Sequence, residues 1–164
     1  MPEFMGLEIS GASLALRMVL ASLSAAASFA IYYYVPANIG NLVSSYIPST
    51  VASGVSGILA GFVSPFLLII GLLIAVFSFL SILLKGTKIY GVVVMMTGAL
   101  FAIYTYLVFQ GGSISVNIPQ SSLIQNVSGS IQVQLSLLML LFILPSLLTV
   151  VKGGLILASA NRED

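Results

Sequence analysis

The chain has 164 residues, of which 59% are hydrophobic and 5% charged, with a mean hydropathy of +1.19 and a formal net charge of +1. A soluble domain carries roughly 25% charged residues, so this composition belongs to an integral membrane protein, and the near-neutral balance argues against a nucleic-acid partner. The chain has no Cys and no His, which excludes disulfides, thiol chemistry and iron–sulfur ligation and removes the commonest metal ligand and proton shuttle.

At the N-terminus, Met1-Pro2-Glu3-Phe4 precedes a second candidate start at Met5. Residues 1–4 read as a cloning remnant and carry no structural weight in the sequence reading. Four apolar segments follow that are long enough to span: about Ser13 to Val35, Phe62 to Leu84, Ile89 to Phe109 and Leu135 to Ala158. At ~1.5 Å per residue each covers a hydrocarbon core of about 30 Å. The first also resembles a signal peptide, because Arg17 precedes an apolar run and Ser24-Ala25-Ala26-Ala27 has the look of a small-residue cleavage site.

The five positive charges sort to one side. Lys85 and Lys88 occupy the tight link between spans two and three, Arg17 lies near the start of span one, and Lys152 and Arg162 lie at or beyond the end of span four. By the positive-inside rule both termini are cytoplasmic, and the connections 36–61 and 110–134 face outside. Neither connection contains a charged residue. Two readings fit: an acidic exterior, in which carboxylates would be protonated, and loops that pack onto the membrane surface or a partner.

In the first connection Ile39, Leu42, Val43, Tyr46 and Ile47 share one helical face, and Pro48 ends it. Ser49 or Thr50 then caps a second helix with the apolar face Val51, Val55, Ile58, Leu59 and Phe62. In the second connection, 113–118 and 130–135 alternate with a period of two, which predicts a small β-pairing. Pro119, the caps Ser121 and Ser122, and apolar Leu123, Ile124 and Val127 between them reproduce the second short helix of the first loop.

An internal repeat organises these elements. Phe29-Ala30-Ile31-Tyr32-Tyr33-Tyr34 recurs at an offset of 72 as Phe101-Ala102-Ile103-Tyr104-Thr105-Tyr106, with six identities in the eight positions from Ala27. Gly40 with Gly112, Val55-Ser56-Gly57 with Val127-Ser128-Gly129, and Leu68 with Leu140 follow the same offset. The counterpart of Ala27 to Val35 lies inside span three, which argues against a removed leader. The expected fold is all-α: four transmembrane helices as two parallel, internally duplicated hairpins, with short outer amphipathic helices. It forms a single membrane domain over 1–164, with repeat one at 11–84 and repeat two at 85–160. The offset sets Ala26 and Ala30 opposite Gly98 and Ala102, small pairs that let helix backbones approach. Spans one and three are therefore expected at the centre and spans two and four outside. Pro145 is expected to kink span four.

Candidate functional residues are few. Tyr32, Tyr34, Tyr104 and Tyr106 fall at the outer span ends, where aromatic rings anchor at headgroup level or line an outer vestibule. Ser56, Gly57, Ser128 and Gly129 would let the short helices dip into the membrane as re-entrant elements, or else mark helices lying flat at the interface. Lys152, with Thr149 before it, reads as a snorkelling lysine rather than a buried base. Asn126-Val127-Ser128 is a glycosylation sequon on the expected outer side. No span contains a carboxylate, His or Cys, which weighs against pumps, proton-coupled carriers and enzymes. The sequence thus predicts a non-catalytic structural or accessory membrane protein without cofactor or metal. It would act by helix packing in the lipid bilayer, within a homo-oligomer or with other membrane subunits. The alternative is a passive channel or carrier for a small neutral or weakly charged solute.

Overall fold

A computed structural model describes residues 3–4, 7–8, 11–46, 63–87, 89–118 and 129–160. Four helices in it are long and apolar enough to cross a membrane, over Ser13–Ala37, Pro65–Leu83, Tyr90–Val108 and Ser136–Ser159. They contain the regular helices α1 (Gly11–Phe29), α2 (Pro65–Leu83), α3 (Tyr90–Val108) and α4 (Ser136–Ala160). The first span continues past α1 through a π-helical turn at Ala30–Tyr34 and a short helical piece at Val35–Ala37. A six-residue helix, Ile39–Ser44, follows it, and Tyr46 beyond is 87% exposed. The short helices expected near 51–62 and 121–127 lie outside the described residues.

Each boundary has a local cause. Ser64 caps α2, its hydroxyl accepting from the Leu67 amide at 3.1 Å, and Pro65 occupies the first helical position, where a missing N–H costs nothing. At the other end Gly86, with φ of 92°, turns the chain out of α2. The amide of Thr87 then donates to Leu84, and the amide of Tyr90 to Thr87, which starts α3 within a few residues. After α3, Gly111 and Gly112 have positive φ and swing the backbone into an extended strand. The carbonyl of Gly112 accepts from the Leu135 amide at 2.7 Å and the Ser136 hydroxyl at 3.3 Å, so one residue ties the exit from α3 to the entry into α4.

Two small antiparallel pairings flank the helices. Glu3–Phe4 pairs with Leu7–Glu8, so the N-terminal residues do take part in local structure. Ser113–Ile118 pairs with Gly129–Gln134, Ser113 opposite Gln134 and Ile118 opposite Gly129.

The long helices are spatial neighbours in chain order: α1 packs on α2, α2 on α3 and α3 on α4. Each of these pairs is antiparallel. Arg17 lies beside Lys85 and Ser28 beside Ser78, whereas Gly91 lies beside Leu157 and Gly98 beside Val150. Among the described residues α1 and α4 share no extended interface. The two ends of the assembly are named here by their residues, the tyrosine end with Tyr32 and Tyr104 and the lysine end with Lys85.

The expected centre is corrected by this arrangement. The buried share is 33% in the second span and 28% in the third, against 6% in the first and 11% in the fourth. The second and third spans are central, and the first and fourth lie outside. Small residues mark where a backbone can approach, yet they do not say which helix approaches. Ala26 and Ala30 are exposed, and Gly98 is pressed against Ser146 and Val150 of α4. The core sits between α2 and α3, where Leu67, Ile70 and Ile74 meet Leu100 and Tyr104. α4 runs as one continuous helix through Pro145.

Candidate functional site

At the tyrosine end the first span departs from α-helical geometry. Pro36 stands four residues after Tyr32, and a proline both lacks the N–H that an α-helix would aim at that carbonyl and collides with it sterically. The helix widens there. The Val35 amide donates to the Ala30 carbonyl, five residues back, and Ala30–Tyr34 forms a π-helical turn. The displaced Tyr32 carbonyl then faces α2 at Gly71, where a Cβ atom would collide with it. Gly71 is therefore the one residue type that seats this turn against the second helix.

The turn also sets the rings. Tyr32 meets Phe101 edge-on at 5.1 Å and Tyr104 edge-on at 5.2 Å between centroids, geometries suited to the charge distribution of aromatic rings. Tyr104 is 9% exposed and belongs to the core between α2 and α3. Phe29 and Tyr33 stack at 4.9 Å on the neighbouring side. Tyr34 and Tyr106 are 54% and 55% exposed. Residues two apart on a helix point in nearly opposite directions, so each Tyr-x-Tyr pair contributes one inward and one outward phenol. The four tyrosines do not form a single ring.

Gly129 opens the second of the two paired strands, Gly129–Gln134, and Ser56, Gly57, Ser128 and Asn126 lie outside the described residues. Ala102 is half-buried on α3. Lys152 is exposed, and the Thr149 hydroxyl donates to the Pro145 carbonyl at 2.9 Å instead of approaching it.

Packing residues that the sequence reading did not single out include Gly71, Gly91, Gly153 and the serines of the α1–α2 seam. A Cβ at Gly91 would fall 2.9 Å from the Gly153 carbonyl, and one at Gly153 would fall 2.7 Å from the Gly91 carbonyl, so the two glycines bring α3 and α4 into backbone contact. The Ser28 hydroxyl donates to that of Ser78 across α1 and α2 at 3.1 Å. At the lysine end Arg17 donates to the Lys85 carbonyl at 2.8 Å, which closes the C-terminus of α2. Beside the serine seam an open apolar groove of about 390 Å³ is lined by Ala25, Ala26 and Phe29 of α1 and Ala75, Val76 and Phe79 of α2.

This arrangement holds hydroxyls, backbone carbonyls and phenols. Among the described residues no three His, Cys, Asp or Glu side chains come together to hold a metal ion. Comparison with protein families, curated proteins and solved structures finds no match to the chain.

Proposed function

We propose that this chain is a non-catalytic structural or accessory membrane protein that acts by helix packing within a homo-oligomer or a larger membrane assembly. The observation that carries this reading is how the tyrosine end is filled. Where a pore would have its mouth, the ring of Tyr32 lies against Phe101 and Tyr104 over the Leu67, Ile70 and Leu100 core. The polar groups of the α1–α2 seam are spent on each other. Ser28 bonds Ser78, and Ser81 bonds the Ser78 carbonyl.

The internal duplication belongs to the same proposal, and the helix registers support it. Shifting the Ser28–Ser78 contact by 72 gives positions 100 and 150, two residues from the approach of Gly98 to Val150. Shifting Arg17–Lys85 gives 89 and 157, two residues from the approach of Gly91 to Leu157. The offset read from identities thus matches the antiparallel register to within about 3 Å of helix rise, with α1 and α3 making the contact from nearly opposite faces. Tyr32 moreover touches its own repeat counterpart, Tyr104. The orientation proposed with it puts the lysine end and both termini in the cytoplasm.

Flux measurements on proteoliposomes test the reading. Ions, water and small polyols are expected to cross no faster than in protein-free vesicles. Flux above that background that falls when Tyr32 or Tyr104 is replaced by Ala would support the passive channel or carrier instead.

A further inference from the structure

The strands Ser113–Ile118 and Gly129–Gln134 pair in a register that separates polar from apolar residues. Ser113, Ser115 and Asn117 stand opposite Gln134, Gln132 and Ser130, whereas Ile114, Val116 and Ile118 stand opposite Val133, Ile131 and Gly129. Residues paired across a ladder share a face and sequence neighbours alternate, so one face of this ribbon is Ser, Asn and Gln and the other is Ile and Val. Val133, on the apolar face, is 43% exposed, and Gln132 and Gln134 on the polar face are exposed too. Among the described residues neither strand makes an extended contact with a helix. We propose that the ribbon lies flat on the membrane surface at the tyrosine end, its Ile and Val face on the lipid of the protein's own bilayer and its Gln and Ser face in water.

The tether, the charge and the open edges all point to lipid as the surface that covers this face. Gln110, Gly111 and Gly112 have φ of 48°, 75° and 95°, so the chain leaves the direction of α3 at the end of that helix. The Gly112 carbonyl accepts from both the Leu135 amide and the Ser136 hydroxyl, which holds the two ends of the ribbon at the ends of α3 and α4. The Tyr106 phenol reaches the same turn, since a Cβ on Gly111 would fall 3.1 Å from its hydroxyl. Tyrosines concentrate at the headgroup level, so the ribbon starts in that layer. Residues 110–134 carry no charge, unlike a surface built for bulk water, where about a quarter of the residues of a whole domain are charged. The depth is limited from the other side. Two strands leave an open edge of N–H and C=O groups on each flank, and the hydrocarbon region does not accommodate open edges. The headgroup layer meets both demands, with acyl chains under one face and water at the edges. With no Lys or Arg in the ribbon, the contact rests on apolar area and does not select anionic lipid.

The absence of native cysteine lets each position carry a single spin label. Ile131→Cys, Gln132→Cys, Val133→Cys and Gln134→Cys are labelled one at a time in the full chain and reconstituted in phosphatidylcholine vesicles. Each label is then relaxed by collision with oxygen, which concentrates in lipid, or with a nickel chelate, which stays in water. The expected result is an alternation with a period of two: labels at 131 and 133 meet oxygen several-fold more than chelate, and labels at 132 and 134 show the reverse. Adding phosphatidylglycerol should leave the pattern as it is. Chelate access at all four positions would place the ribbon in water and overturn the inference. Oxygen access at all four would sink it into the hydrocarbon, which would overturn the interfacial position. Labels at 131 and 133 that meet neither reagent would show that protein covers the apolar face, overturning the lipid contact while agreeing with the packing role proposed above. An alternation that appears only with phosphatidylglycerol would overturn the uncharged contact.

Discussion

At the scale of single residues, Pro36, Tyr32 and Gly71 form one unit. The proline forces the carbonyl off the α-helical path, and the glycine receives it. Gly71→Ala is expected to destabilise the protein by about 1–3 kcal/mol, the usual cost of overpacking, seen as earlier unfolding in detergent. Gly154→Ala is the matched control, since a Cβ there meets no atom within 4 Å. Pro36→Ala restores the missing donor four residues after Tyr32, so it should return the turn to α-geometry and withdraw the carbonyl from α2. The double variant Pro36→Ala/Gly71→Ala should then lose less stability than the sum of the two single changes, with a coupling of about 0.5–3 kcal/mol. Strict additivity would show that the proline does not set the turn.

At the scale of elements, the two outer helices are attached differently. α4 is fixed to α3 by Gly91, Gly98 and Gly153, whose backbones lie against the opposite helix. α1 is fixed to α2 by the Gly71 approach, the Ser28–Ser78 bond and the Arg17 cap, with the apolar groove open beside them. Gly98→Val should therefore separate α3 from α4 and cost more than Ala26→Val, although the two positions are repeat counterparts. Gly98 faces Val150 at close range, while Ala26 opens onto the groove. Equal effects on thermal unfolding would contradict this asymmetry. Ser78→Ala removes the interhelical hydroxyl pair, and membrane double-mutant cycles put such bonds at about 0.6 kcal/mol. A small loss of α1–α2 association is expected, well below that of Gly71→Ala.

At the scale of the whole molecule, the helix order makes α2 and α3 the centre and leaves α1 and α4 as free flanks. Orientation is tested by labelling with a membrane-impermeant maleimide. Lys85→Cys should react only from the cytoplasmic side and Gln132→Cys only from outside, since both residues are exposed at opposite ends of the helices. The reverse pattern would invert the topology and place the uncharged strand pair in the cytoplasm.

The sequence by itself determined the number of spans and nearly all their limits. The expected segment from Phe62 to Leu84 became a helix beginning at Pro65, behind the Ser64 cap, and that from Ile89 to Phe109 became Tyr90–Val108. These limits are legible because hydropathy, capping and chain length are local properties. Pro36 carried a local signal too, four residues downstream of the carbonyl it displaces, although the sequence reading ended the first span at Val35 and left the π-helical turn unread; signals of this local kind are legible. Partner choice was not. Ala26 and Ala30 carry the same small-residue signal as Gly98 and Ala102, yet the first pair faces outward and Gly98 meets α4. In a membrane every apolar face is equally content with lipid or protein, so hydrophobicity cannot rank the faces of a helix. Only the tertiary structure decided which backbones touch, because that choice depends on steric fit between surfaces distant in the chain: the Tyr32 carbonyl against Gly71, and Gly91 against Gly153.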